Sequence, residues 1–281
     1  MLELPEVEVL RRDLEKEVVG KRVKSVDVSS TTLVKPFHRT RPDFQKALVD
    51  HRIEAVRRRG AVIFLDLEDD LTWILDAGPS GSVHRETATE NMGADTHLVV
   101  TFTTGGALHL SDGEAEPTGS TGVVPTEESL EAAGIREGAL DPLEDNPTIT
   151  DFVRFLYEAD DDLRSVLTDP NRVSGIGDVY ADEILWDAGL RHDRPSTTLS
   201  TQEVRRFYRS MQEVIQTAMK QRGSSLDEAD AEVAIDDEGE AAVHLQVFGR
   251  EGLPCNRCRR LLVRTRIKRS SYTFNCEQCQ V

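Results

Sequence analysis

The four cysteines of the chain are Cys255, Cys258, Cys276 and Cys279, two Cys-x-x-Cys pairs separated by seventeen residues. This is the spacing of a tetrahedral zinc site, in which each pair forms a knuckle that brings two thiolates to one metal. Four thiolates fill the coordination sphere and leave no position for water or substrate. The expected cofactor is therefore one structural Zn2+. The alternatives are two disulfides or four free thiols. Nothing at the N-terminus resembles a secretory leader, and disulfides are rare in reducing compartments, so the reading is a zinc module in a cytoplasmic protein.

The residues around those cysteines carry the second signal. From position 241 onward there are eight Lys or Arg against two acids, Glu251 and Glu277, a balance of +6 in a chain whose net charge is −17. A basic module on an acidic chain is expected where only that module meets phosphate. Arg264, Arg266, Lys268 and Arg269 fall in an Arg-x-Arg-x-Lys-Arg run that alternates as a strand does. The pattern reads as a β-hairpin laying cations along a nucleic-acid backbone, or alternatively as a solvated basic face. The acidic remainder is compatible with a salt-rich cytoplasm or with a base composition that favours Arg over Lys.

Other elements must position this module. Pro5, Glu6 and Glu8 suit the first turn of a helix, Val7, Leu10, Leu14 and Val18 form one apolar stripe at helical spacing, and Gly20 fits the stop. Residues 22–110 read as short strands at 23–28, 53–56, 61–67, 71–75, 97–102 and 107–110, which predicts a sandwich or flattened barrel. Residues 112–146 are rich in Gly, Pro, Asp and Glu and read as linker or loops. Helices are expected over 149–157, 163–167, 178–188 and 201–221. Before the third lies Gly175-Ile176-Gly177, a turn that can aim backbone N–H groups at a phosphate or simply cap a helix. Residues 222–243 hold eight acids and read as an acidic loop. No apolar run approaches the roughly 20 residues needed to cross a bilayer.

Three segments in order resemble the formamidopyrimidine-DNA glycosylase and endonuclease VIII family. They are Glu3-Leu4-Pro5-Glu6-Val7-Glu8, the stretch Ser174 to Leu185, and Gln246-Val247-Phe248-Gly249-Arg250-Glu251-Gly252 leading into the cysteines. The resemblance covers essentially the whole chain. It implies an α+β multidomain fold: an N-terminal β-sandwich with an N-terminal helix (1–125), a helical helix–two-turn–helix domain with the acidic loop (126–240), and a C-terminal β-hairpin zinc finger (241–281). It also implies a monomer that binds double-stranded DNA and flips a damaged nucleotide out of the stack.

The chain departs from that family where the chemistry is done. The family nucleophile is an N-terminal proline amine exposed by removal of the initiator Met, with a neighbouring Glu as proton carrier. Here position 2 is Leu2, so the resemblance leaves the Met1 amine, displaced by one residue, and Glu3 as catalytic candidates. Glu3 also reads, and more simply, as a carboxylate at a helix N-terminus. The family's phosphate-reaching lysine falls at Ala61, with Arg57, Arg58 and Arg59 as partial electrostatic substitutes. The wedge loops that fill the gap of a flipped base read Gly78-Pro79-Ser80-Gly81 and Asp112-Gly113-Glu114-Ala115-Glu116-Pro117, so a cation and an aromatic are replaced by acids. The helix–two-turn–helix Asn is Asp178, and the hairpin Arg falls near Ser271, with Arg269 nearby.

The expected function is a zinc-containing, glycosylase-like DNA-binding protein of base-excision-repair type without the proline-based chemistry, associated with the nucleoid when bound. Its phosphate contacts are expected from Arg57 to Arg59, Gly175, Gly177, Asp178, Arg264, Arg266, Lys268 and Arg269. One alternative is an active glycosylase or abasic-site lyase using Met1 and Glu3. Another is an adaptor whose acidic loops hold a basic protein partner. Structured RNA is a further possible ligand.

Overall fold

The computed structural model describes residues 2–86, 95–113, 116–221, 245–268 and 271–281. Helix α1 spans Leu4–Val18, with Glu3 at its N-cap and the predicted stripe of Val7, Leu10, Leu14 and Val18 buried. The Glu3 N–H donates to the Glu6 carboxylate at 2.7 Å, closing a capping box that satisfies amides the first turn leaves without helical partners.

Strand β1 (Val23–Val28) is followed by two short helices, α2 (Thr31–Val34) and α3 (Arg41–Leu48). Both interrupt a stretch read as mostly β. Their signals are local: Ser30 caps α2, while Thr40 and Asp43 form a capping box around Pro42 in α3. Then come β2 (Ile53–Arg59), β3 (Val62–Leu67), β4 (Leu71–Asp76), β5 (Gly81–Glu86), β6 (Thr96–Phe102), β7 (Ala107–Asp112) and β8 (Ser120–Pro125).

These eight strands form two four-stranded antiparallel sheets, ordered β1-β6-β7-β5 and β2-β3-β4-β8. One apolar core joins α1 to residues of both sheets, including Val26, Val100, Leu108, Ile63, Leu65 and Trp73. Strand β8 corrects the reading of 112–146 as linker. Thr121 there accepts the Trp73 indole N–H at 2.7 Å. Gly122 breaks the apolar pattern because a Cβ at that position would meet Phe37 at 2.2 Å.

The first compact unit reaches Glu137. Ala133 and Ile135, after the short helix α4 (Ser129–Ala132), pack with Phe64 and Ile74 on the second face of the β2-β3-β4-β8 sheet. Residues 126–137 thus fall in the same compact unit as the sheets.

The second unit starts at Gly138 and contains α5 (Ile149–Ala159), α6 (Leu163–Thr168), α7 (Asp178–Ala188), α8 (Thr201–Gln221) and the hairpin β9 (Val263–Lys268) and β10 (Ser271–Asn275). All four helices begin where the sequence places them. Thr148 and Asp151 form a capping box at α5, and Gly189, at φ 64°, closes α7. Helix α6, the turns over 169–177 and α7 make the expected helix–two-turn–helix. Helices and hairpin share one compact unit.

Candidate functional site

The hairpin is the expected one, with Arg264 opposite Phe274, Arg266 opposite Tyr272 and Lys268 opposite Ser271. Alternation puts Arg264 and Arg266 on one face with their aromatic partners. The Arg264 guanidinium sits 3.7 Å from the Tyr272 ring centroid, a cation–π contact that holds the charge in place while it stays exposed. On the other face Thr273 is buried. Arg269 and Ser270, at the tip, lie outside the described residues.

The four cysteine sulfurs converge at the base of the hairpin. All lie within 4.8 Å of one another, with Cys255 and Cys279 3.9 Å apart and Cys258 and Cys276 3.4 Å apart. A tetrahedral ion bonded to sulfur at about 2.3 Å separates its ligands by about 3.8 Å, so the four thiols fit one Zn2+. Burial pushes the Cys255 thiol up, but N–H donation from Cys258 and Arg257 more than offsets it and brings it down to about 6. The four-sulfur geometry matches a closed structural centre, as the sequence predicts.

Helix α7 holds this module, through residues that the sequence reading did not single out. Asp182 is buried and accepts from Thr273 Oγ1 at 2.6 Å, Phe274 N at 2.7 Å and Arg164 Nε at 3.0 Å. Burial drives its carboxyl up to about 6 against the lowering effect of Arg164 and those donors. Glu183, equally buried, accepts the backbone N–H groups of Gln246, Val247 and Phe248 at 2.8–3.0 Å. Trp186 joins Cys255 and Cys276 in a small apolar core, and Arg257 lies 3.9 Å from its ring centroid. The available signal was Asp182-Glu183 among Val179, Tyr180, Ala181, Ile184, Leu185 and Trp186, because buried carboxylates demand donors.

Arg164 also reaches Asp178 at 2.7 Å and the Tyr272 carbonyl at 3.2 Å. Asp178 was expected among the phosphate contacts and as a cap. Gly177 is the N-cap, and Asp178 is the first helical residue with its carboxylate engaged by Arg164. Gly175 takes φ 85°, a conformation natural to glycine, and makes the second turn possible.

In the first unit the three arginines of β2 separate by strand alternation. Arg58 is buried, donating to Glu8 at 3.1 Å and to the Gly60 carbonyl at 2.9 Å. It is an internal cation, which corrects its expected place among phosphate contacts. Glu8 is held below the usual carboxylate range because Arg11, Arg12 and Arg58 together overcome the opposing effect of burial. Arg57 is partly exposed, bridging Asp66 at 2.8 Å and Ser129 at 2.9 Å. Arg59 ends the strand opposite Val62 and is half-buried.

Leu2 and Ala61 come together. With Val7, Leu10, Ile63, Leu75, Ala77, Gly78 and Val83 they line a small apolar pocket. Glu3 beside them is buried at the start of α1, while Met1 lies outside the described residues. The two loops read as wedges also meet: Ser80 and Thr118 hydroxyls are 3.4 Å apart, and Thr118 donates through N and Oγ1 to Asp112 at 2.9 and 2.7 Å. Gly78, at φ 76°, lies so close that a Cβ would meet the Gly119 amide at 2.6 Å. Glu116 is exposed and accepts from Ser30 at 3.1 Å, and Glu114 lies outside the described residues.

Sequence models of the formamidopyrimidine-DNA glycosylase N-terminal domain and of its H2TH domain match residues 1–114 and 139–230. The formamidopyrimidine-DNA glycosylase of Enterococcus faecalis is 31% identical over 283 residues, covering 100% of this chain and 97% of that protein. The chain belongs to the formamidopyrimidine-DNA glycosylase family. A second glycosylase of that name, from Herpetosiphon aurantiacus, is 30% identical over 293 residues with 100% of both chains covered.

Among solved structures, Lactococcus lactis Fpg in complex with DNA containing an abasic site superposes with a TM-score of 0.84 at 24% identity, over 99% of each chain. The same protein with N7-benzyl-Fapy-dG DNA gives 0.84 at 25%, again over 99% of each. The glycosylase fold is thus retained end to end. Among the described residues, no helix is long and apolar enough to cross a membrane.

Proposed function

We propose that this glycosylase-family chain binds double-stranded DNA through its zinc hairpin and helix–two-turn–helix, without the proline-based base-excision and lyase chemistry of the family. One observation carries the reading. Leu2 and Ala61, at the positions where the resemblance calls for an amine nucleophile and a phosphate-reaching lysine, are neighbours in one apolar pocket. A pocket of that lining offers neither a nucleophile nor a donor to a phosphate. The binding parts, by contrast, are built at some cost in buried charge: Asp182 and Glu183 anchor a hairpin whose exposed face carries Arg264 and Arg266.

Phosphate contacts from Arg264, Arg266, Lys268 and Arg269, aided by Arg57, Arg59 and the Gly175-Ile176-Gly177 turn, set register on the duplex rather than sequence. Activity in the cytoplasm, at the nucleoid, follows from that ligand.

The test pairs borohydride trapping on a duplex bearing one abasic site with a binding titration across salt concentrations. The expected result is salt-dependent binding with neither a covalent adduct nor a nick. A trapped adduct would instead restore an enzyme that uses the Met1 amine with Glu3 as proton carrier, and Glu3→Gln would then abolish it. Absence of binding by folded, zinc-loaded protein would sink the proposal.

A further inference from the structure

Strands β5 and β7 pair antiparallel with His84 directly opposite His109, and Glu86 follows His84 by two residues. Strand periodicity puts all three on one face, while Val83, Leu108 and Leu110 point to the core from the other. The His84 Nε2 lies 3.4 Å from Glu86 Oε1, and the His109 Nε2 lies 3.4 Å from Glu86 Oε2. One ligand atom from each residue lies within 4.8 Å of the other two. Apart from the cysteines, this is the one such group of His, Cys, Asp or Glu among the described residues.

From this geometry we infer that His84, Glu86 and His109 form a second metal site, for a divalent transition cation of the Zn2+ class. A tetrahedral ion with N and O ligands at about 2.0–2.1 Å separates them by about 3.3 Å, close to the two spacings seen. Two imidazoles and one carboxylate make a donor set for Zn2+, Co2+, Ni2+ or Cu2+, whereas Mg2+ and Ca2+ take oxygen ligands.

The site is pre-organised, because its ligands stand on two hydrogen-bonded strands rather than on loops. It is also accessible. Strand β5 is the sheet edge, and the side chains of His84 and Glu86 are 14% and 26% exposed. Three protein ligands leave the fourth position to water or another small donor. The bound ion clasps β5 to β7, the strand pair whose other end, Gly81 opposite Asp112, feeds the two loops that meet at Ser80 and Thr118.

The experiment measures metal in the full chain equilibrated with micromolar Zn2+ and desalted, by elemental analysis, alongside Co2+ substitution. Wild type is expected to hold two ions per chain, and His84→Gln and Glu86→Gln one each. The ion in the cysteine cluster serves as an internal measure of folded protein. In the Co2+ form, these variants are expected to lose only the weaker absorption added by the second equivalent, while keeping the d–d and thiolate charge-transfer bands of the cysteine site. The melting temperature of wild type, not of the variants, should rise with the second equivalent. Wild type saturating at one ion overturns the inference, and so does a second ion that both variants retain.

Discussion

The two ends of the molecule carry equivalent burdens in opposite ways. At the hairpin, buried charge is paired: Arg164, Asp182 and Glu183 each meet donors or acceptors, and Arg264 and Arg266 are left on the exposed face. At the start of α1, the groups that the family resemblance calls for are apolar. Leu2 and Ala61 line the same pocket, whose other walls are aliphatic side chains and Gly78. Buried polar networks are costly when partly satisfied, so they persist where something depends on the geometry they impose. This contrast is the basis of the proposed reading, in which shape and phosphate grip are kept and the amine chemistry is not.

Removing the metal should break this comparison most severely. The cysteines are part of the small core with Trp186 and Val247. Structural zinc sites of this kind contribute about 10–16 kcal/mol in isolated fingers. Chelation, or Cys276→Ala, is expected to make residues 245–281 protease-sensitive and to abolish DNA binding, while the β-sheets keep their melting transition. Limited proteolysis with mass mapping checks it.

Cutting either buried ion pair comes next. Arg164→Ala leaves the buried Asp182 without its closest cation, and Arg58→Ala removes one of the three arginines that hold Glu8. The first is expected to cost about 3–5 kcal/mol in denaturant titration, and the second less, because Arg11 and Arg12 remain. Arg58→Ala should leave the salt dependence of DNA binding unchanged, because that cation is internal. A flattened salt response in Arg58→Ala would return it to the phosphate contacts.

The triple change Arg264→Ala, Arg266→Ala, Arg269→Ala tests the exposed face. Every arginine that grips a phosphate should, once replaced, lower the slope of log affinity against log salt by about 1. Equal affinity of wild type and triple variant at low salt would remove the hairpin from the interface.

The smallest effect concerns pH. Asp182 in the folded chain holds its proton up to about pH 6, above its ordinary value of 3.8. A folded-state value that is raised means stability present at acid pH and lost as pH rises through about 6. Between pH 5 and 8 wild type should lose about 1–2 kcal/mol relative to Asp182→Asn, read as the difference between their denaturation curves.

Much of this was legible in the chain. The cysteine spacing, the alternating Arg264-x-Arg266-x-Lys268 and the apolar stripe of α1 are periodic signals, and local geometry follows directly from period. Helices α5 to α8 start where the sequence reading put them, and the structure shows caps such as Thr148 and Gly189. The failures share another cause. Strand β8 was hidden because Gly122 answers to Phe37, a residue far away in sequence, and Arg58 looked like its neighbours because its partner Glu8 lies on another element.

Residue type at fixed spacing was enough for the family, the zinc ligands and the hairpin. Folding in three dimensions decided which charges are exposed and which are enclosed. Arg57 and Arg58 are adjacent in the chain, yet one is partly exposed and the other is enclosed with Glu8. It also set His84 against His109, twenty-five positions apart, because register between strands is fixed by the packing of a shared core and not by either strand alone.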